Sequence, residues 1–215
     1  MPKTTILVQT IYRPQCLKRL LESISLYAPK YQVLVHDDTK SDIGLSAARN
    51  KLVREATTPY VFLCDDDCVF TPNTNMAGIE KQFEDSHADI LGITVLNNNI
   101  PLDYKGRFEV DGNTVKLVPE EPLEFIPNVF IAKKKTLLKH TWRNDLKLGE
   151  HFAFFFDYHK KLLIKTTDRY SIEHKHESSV IYNRYRNRAP SYVKMYMKSV
   201  GIRVRIDLNG EILCC

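Results

Sequence analysis

The sequence predicts an α/β fold, with a mixed, mostly parallel central sheet flanked by helices and a small hairpin addition. Two observations predict it. Residues 1–100 alternate between short β-branched runs and longer segments with apolar residues at helical spacing, in the order β-α-β-α-β-α-β. Residues 101–215 lose that alternation and carry the turn signals Asp111-Gly112-Asn113 and Asn209-Gly210. At 43% hydrophobic and 27% charged residues, the 215-residue chain has the composition of an ordinary folded domain.

"TTILVQT" (4–10) is a β-branched apolar run, as a buried strand requires. In "PQCLKRLLESISLYA" (14–28), Leu17, Leu20, Leu21, Ile24 and Tyr27 fall on one helical face, and Pro14 suits a first turn. "YQVLVH" (31–36) is a second strand, 41–56 a second helix, and "PYVFLC" (59–64) a third strand. A Thr-Pro start opens a third helix over 71–86, and "ADILGITVL" (88–96) is a fourth strand. Beyond these, 104–118 reads as a hairpin, 124–132 as a strand, 149–162 as a helix and 168–174 as a strand. The segment 191–201 reads as a helix and 202–213 as a closing hairpin.

Open parallel sheets bind ligands at the carboxyl ends of their strands. Here those ends are polar: Thr10-Ile11-Tyr12-Arg13, then His36-Asp37-Asp38-Thr39, then Asp65-Asp66-Asp67. Three adjacent carboxylates repel unless a positive group sits among them. The sequence lacks GxGxxG after the first strand and lacks GxxxxGK[ST], so neither common phosphate cradle is present. A divalent cation, Mn²⁺ or Mg²⁺, held by Asp65 and Asp67 would supply the positive charge and bridge the acids to a diphosphate. Capping of the next turn is the alternative role for these aspartates.

The net charge of +5 is mild. The densest basic stretch, 182–198, interleaves arginines with tyrosines and suits either a phosphorylated small molecule or nucleic acid. The five cysteines, Cys16, Cys64, Cys68, Cys214 and Cys215, form no CxxC pair and are expected to be reduced thiols. The longest uncharged run, 90–102, is too short and too polar to span a bilayer. The N-terminus lacks a signal-peptide layout. A cytoplasmic protein without a membrane span is expected, as part of a longer chain.

The ordered set "TILVQTIYRP", "VLVHDDTK", "GLSAARNKLVREATTPYVFLCDDDCVF", "KLGEHFAFFF" and "IEHKHESS" resembles the GT-A fold of nucleotide-sugar glycosyltransferases. It looks closest to family-2-like inverting enzymes and the β-1,4-N-acetylgalactosaminyltransferase group, over about residues 4–190. The resemblance implies a single GT-A domain over 1–215. Residues 1–100 would form the half that binds a UDP-sugar donor, and 101–215 the half that faces a glycan or glycoprotein acceptor, with no nucleic-acid partner. Its size and layout are similar to an N-terminal domain of a large-DNA-virus protein that builds capsid glycans, which implies host cytoplasm.

By that resemblance Asp38 accepts the uracil N3–H, and Thr10 to Tyr12 wrap the base and ribose, with Arg13 beside them. Arg49 lies near the nucleotide. Asp65 and Asp66 face the donor, and Asp65 and Asp67 form the Asp-x-Asp metal element. Glu150 matches the general base that deprotonates the acceptor hydroxyl. The common Glu-Asp pair is Glu150-His151 here, so His151 is a rival base. His174 or His176 is a further metal ligand, with His174 favoured. Arg184, Arg186 and Arg188 lie on a mobile loop over the diphosphate. The sugar pocket falls near Asn97–Asn99 and Asn128. A sugar-phosphate nucleotidyltransferase, a donor-binding domain without transferase activity and a nucleic-acid-binding module are the alternatives.

Overall fold

The computed structural model describes residues 1–102 and 104–215. Its first half follows the expected alternation: β1 (Thr4–Thr10), α1 (Pro14–Tyr27), β2 (Gln32–Asp37), α2 (Leu45–Glu55), β3 (Tyr60–Asp65), a two-residue β4 (Cys68–Val69), α3 (Met76–Ser86) and β5 (Ile90–Asn97). Then come β6 (Ile100–Pro101), β7 (Arg107–Asp111), β8 (Thr114–Val118), β9 (Phe130–Lys133) and α4 (Lys134–Lys139). The chain continues through α5 (Glu150–Asp157), β10 (Ile164–His174), α6 (Val180–Arg186), α7 (Ala189–Ser199), β11 (Val204–Ile206) and β12 (Ile212–Cys214).

The main sheet runs β2-β1-β3-β9-β5-β10-β4, with β6 on β5. β1 is parallel to β2 and β3, and β10 is parallel to β5, while β9 is antiparallel to both of its neighbours. The sheet is therefore mixed and mostly parallel, as expected. β1 is buried along its whole length because helices cover both faces of its sheet. Alternation sends Ile6 and Val8 to one face with Leu20, Ile24, Ile79 and Phe83, and Leu7 to the other with Leu52, Phe130 and Phe155. The two expected hairpins do not stand apart. β11 pairs in parallel with β8, joining them into a four-stranded sheet β12-β11-β8-β7.

Several boundaries differ from expectation for local reasons. α2 starts at Leu45 because Gly44, at φ 90°, and Ile43 give their N–H groups to the Asp38 carboxylate instead of a helix. α3 starts at Met76, where the Asn75 side chain caps the Gly78 N–H. The strand expected over 124–132 shrinks to β9, since Pro127 offers no ladder donor. α5 ends at Asp157 rather than 162. β10 begins earlier than 168, and its register on β5 shifts between Thr167 and Ser171. Among the described residues no helix is long and apolar enough to cross a membrane.

Candidate active site

A cavity of about 410 Å³ opens where β1, β3, β10 and the start of α5 meet. Among the expected residues that line it are Thr10, Arg13, Arg49, Asp65, Asp67, Glu150, His151, His174 and His176. Tyr12, Asp38, Asp66 and Arg188 are not among its lining residues.

The three aspartates at the end of β3 diverge, and the counter-charge among them is first of all two arginines. Arg13, just past β1, donates to Asp67 Oδ2 at 2.6 Å and to both oxygens of Asp66. Thr10 Oγ1 also donates to Asp66, at 2.5 Å. Asp66 is 1% exposed, so it acts as a strut that fixes Arg13 rather than as a cavity group. Burial pushes its carboxyl up to about 7, against the pull of Arg13 and Thr10.

Chain topology delivers the histidines to Asp67. β4 follows the aspartates directly and pairs antiparallel with the end of β10, His174 opposite Cys68. The Lys175 N–H then donates to the Asp67 carbonyl at 2.8 Å. His174 Nε2 and His176 Nδ1 lie 3.3 and 3.6 Å from the same Asp67 Oδ2. Both histidines are brought in, not one of them. Burial disfavours charge on Asp67, but His174 and Arg13 outweigh it and hold the carboxyl well below the usual range. The Asp67 hydrogen bond raises His174 in turn.

These residues fit a divalent cation. One carboxylate and two imidazoles offer ligand atoms within 4.8 Å of one another. Bonds of about 2.1 Å in a tetrahedral or octahedral shell place ligand atoms roughly 3.0–3.4 Å apart, close to the observed spacings. Arg13 shares Asp67 Oδ2, so a cation there would compete with one guanidinium hydrogen bond.

Arg49 organises the second cluster. Its side chain, 1% exposed, donates through Nε to Gln9 Oε1 at 2.9 Å, through Nη2 to Asp65 Oδ1 at 3.3 Å, and through Nη1 to Glu150 Oε1. Gln9 closes the circuit by donating to Asp65 at 3.1 Å. Glu150 is the first residue of α5, at the positive end of the helix dipole. Its Oε2 makes no hydrogen bond among the described residues. Gly149 precedes it at φ 75°, and a Cβ there would lie 2.5 Å from Val193 Cγ2. That residue sets the entry angle of α5, and so the aim of Glu150.

His151 has a different setting. Its Nε2 bonds the Ile126 carbonyl at 2.7 Å, and its ring stacks on Phe125 at 4.6 Å. Burial lowers its pKa to about 4, so the ring is neutral at physiological pH.

The remaining expected residues have other partners. Asp38 is 1% exposed and accepts from Ser41 Oγ at 2.6 Å and from the N–H groups of Ile43 and Gly44, both at 2.8 Å. Tyr12, at φ 56°, meets Tyr185 edge-on. Arg188 donates to Asp42 at 3.3 Å and lies over the Tyr185 ring. The segment expected to be a mobile loop with Arg184, Arg186 and Arg188 carries the first two on α6 and Arg188 in the turn before α7. Ser179 caps α6, and Tyr182 and Tyr185, one turn apart, pack against Ile11 and Leu148. Tyr182, Tyr185 and Tyr196 of the basic stretch are buried, so their faces are not free to stack bases. Arg186 lines the cavity in place of Arg188. Of the asparagines expected near the sugar pocket, Asn128 lines it and Asn97–Asn99 do not. Sequence reasoning missed Gln9 and Arg205 as lining residues, and nothing in the local pattern distinguishes either one.

The family model described as Glycosyl transferase family 2 matches residues 40–163, more than half of the chain. β-1,4 N-acetylgalactosaminyltransferase 2 of Mus musculus is 27% identical over 200 residues, covering 80% of this chain and 39% of that protein. β-1,4 N-acetylgalactosaminyltransferase 1 of Homo sapiens is 30% identical over 104 residues, covering 41% of this chain and 20% of that protein. The chain thus spans about two fifths or less of the length of these curated relatives. Among solved structures, S. aureus TarS 1–349 in complex with UDP-GlcNAc superposes with a TM-score of 0.67 at 15% identity, covering 93% of this chain and 65% of that one.

Proposed function

We propose, from the premise that the chain belongs to glycosyl transferase family 2, that the cavity transfers a sugar from a UDP-sugar to a hydroxyl of a glycan or glycoprotein, with inversion and with a divalent cation. The fold is GT-A, shared with TarS. One observation carries the reading: a carboxylate–imidazole triad and a carboxylate at a helix start line one cavity, each tied to its own arginine. TarS 1–349 is known in complex with UDP-GlcNAc and with UDP, which supports a UDP-sugar donor.

Asp67, His174 and His176 would hold the cation, and the two imidazoles favour Mn²⁺ over Mg²⁺, which prefers an all-oxygen shell. When bound, it neutralises charge on the leaving diphosphate as a Lewis acid. Arg13 and Arg186 add positive charge on the same side of the cavity. Asp65 stays outside the triad, held by Gln9 and Arg49 beside the ribose end of the donor. Glu150 is the base. Arg49 fixes its Oε1, leaving Oε2 to take the acceptor proton as the hydroxyl attacks the anomeric carbon. His151 positions the wall next to it, since its Nε2 is committed to the Ile126 carbonyl.

Calorimetric titration of UDP with and without Mn²⁺ tests the donor site. Expected are metal-dependent binding by the wild-type protein, loss in D65A/D67A, and a weakened metal requirement in D67N. Absence of UDP binding in both conditions would overturn the reading.

A further inference from the structure

Two lysine-rich segments meet at the end of the main sheet opposite the cavity. "KKKTLLKH" (133–140) runs from the end of β9 through α4, and "HKKLLIK" (159–165) runs from the turn after α5 into β10. The first carries four lysines and the second three, and neither contains an acid or an arginine. Long-range contacts join them on two sides. Asp89 accepts from Lys133 Nζ at 3.1 Å through Oδ1 and from the Leu163 N–H at 3.2 Å through Oδ2. His140 meets the Tyr158 ring edge-on at 4.7 Å, and Lys161 Nζ lies 5.8 Å from the centroid of the same ring. Tyr60 pairs with Lys133 and Ile90 with Ile164, so the patch lies at the amino ends of β3, β5 and β10. Asp65 and His174, at the carboxyl ends of β3 and β10, line the cavity at the other end.

Folding uses little of this charge. Lys133 pairs with Asp89, whereas Lys134, Lys135, Lys139, Lys160, Lys161 and Lys165 make no ion pair among the described residues. Glu84, which shares a hollow with Lys133, is already paired with Lys3. Burial lowers the His140 pKa, and the charges of Lys139 and Lys161 lower it further. On α4, Thr136 and Leu137 are buried, while Lys135, Leu138 and Lys139 share the exposed face. Leu138 is 46% exposed and Leu163 is 50% exposed. A hollow of about 450 Å³ beside α4 is bounded by Pro59, Tyr60 and Leu138 with Lys133, Lys134 and Lys135.

We infer that this face docks on an anionic lipid surface: the lysines meet the headgroups, and Leu138 and Leu163 enter the layer beneath them. Two features favour lipid over nucleic acid. The cations are lysines, flexible point charges without the planar fork that grips a phosphate through two oxygens. Exposed leucines stand among them, and a bilayer boundary gives such side chains an apolar layer to enter. Docked this way, the cavity at the opposite end of the sheet stays open to acceptors in solution. The inference is independent of the glycosyltransferase reading.

The test is co-sedimentation with vesicles of phosphatidylcholine alone or with about 30% phosphatidylserine, and each lysine near such a surface should strengthen binding about fivefold. The wild-type protein should bind the anionic vesicles at least tenfold tighter than the neutral ones and leave them in about 1 M salt. K135E/K139E and K160E/K161E should each weaken binding about tenfold or more. L138S/L163S should weaken it severalfold and keep its salt dependence. K18E/K30E changes the net charge equally on and just after α1, and should bind as the wild-type protein does. Melting temperatures, expected unchanged in the lysine variants, separate loss of docking from loss of fold. Equal binding to the two vesicle types, or an equal loss in K18E/K30E, overturns the lipid-docking face. So does tighter binding to a duplex oligonucleotide that the two patch variants abolish.

Discussion

The cavity floor holds two clusters of the same formula, one arginine between two acids, in different surroundings. In the first, Arg49 and Glu150 are 1% and 4% exposed, and the partners come from β1, α2, β3 and α5. In the second, Arg13 is 10% exposed, and Asp67 shares one oxygen among Arg13, His174 and His176. Every group of the first cluster has a fixed protein partner, and it ties the two halves of the chain together. The second holds its second acid, Asp66, as a strut and leaves the other open to exchange a guanidinium for a cation. A charge that must stay in place is buried and encircled, and a charge that must meet a ligand shares its partners.

Breaking the encircled cluster has the largest expected effect. R49M leaves the buried Glu150 without its counter-charge and takes one partner from Asp65, whose side chain is 38% exposed; removing one partner of a buried pair costs about 3–5 kcal/mol. A fall in melting temperature of roughly 10 °C follows for a domain of this size. The corresponding R13M should cost less, because His174 still faces Asp67. Equal shifts for the two variants, read by thermal unfolding, would erase the distinction drawn here.

E150Q keeps the shape and the Arg49 hydrogen bond but removes the base. Transfer should fall by about 10²–10⁴-fold, the range typical of general-base loss. Metal-dependent UDP affinity should change little, because the triad lies at the other cluster. Loss of UDP affinity in step with transfer would remove Glu150 from the base role.

Removing one histidine tests the shared cluster on a smaller scale. H174A should weaken Mn²⁺-dependent UDP binding more than H176A, since His174 lies closer to Asp67 and is the less exposed of the two. The reverse ranking, by titration calorimetry, would make His176 the principal ligand.

Much of this arrangement can be read from the sequence where a local rule applies. Parallel β-α units place Thr10, Asp38 and Asp65–Asp67 at strand ends, because strand length and direction alone decide that. Period-two spacing lets His174, the last residue of β10, and His176 just past it point the same way. What the sequence does not show depends on long-range pairing. β9 inserts antiparallel between β3 and β5, a choice made by sheet closure. Asp38 ends its strand as a ligand residue would, and the sequence does not show that its carboxylate also holds the loop before α2 through three nearby donors. The counter-charge among the aspartates is read from sequence as a metal, whereas Arg13 and Arg49 already supply much of it, from 53 positions before Asp66 and 16 before Asp65. An arginine pattern says nothing of which acid it will meet.

His151 gives the smallest effect and separates the two candidate bases by pH. Unfolded, its imidazole takes a proton below about 6.5. Folded, burial beside Phe125 holds it off until about 4. Between those values the unfolded chain binds more protons, so stability is complete above about 6.5 and is lost as pH falls. The slope from this residue is at most about 1.4 kcal/mol per pH unit. H151F removes the titrating group while keeping the stack on Phe125, so unfolding followed from pH 7 to pH 4.5 should show a flatter profile than the wild-type protein. Transfer at pH 7 should persist in H151F if Glu150 is the base. A flat profile together with abolished transfer would instead assign the proton to His151, and the encircled cluster would then position a base that stands beside it.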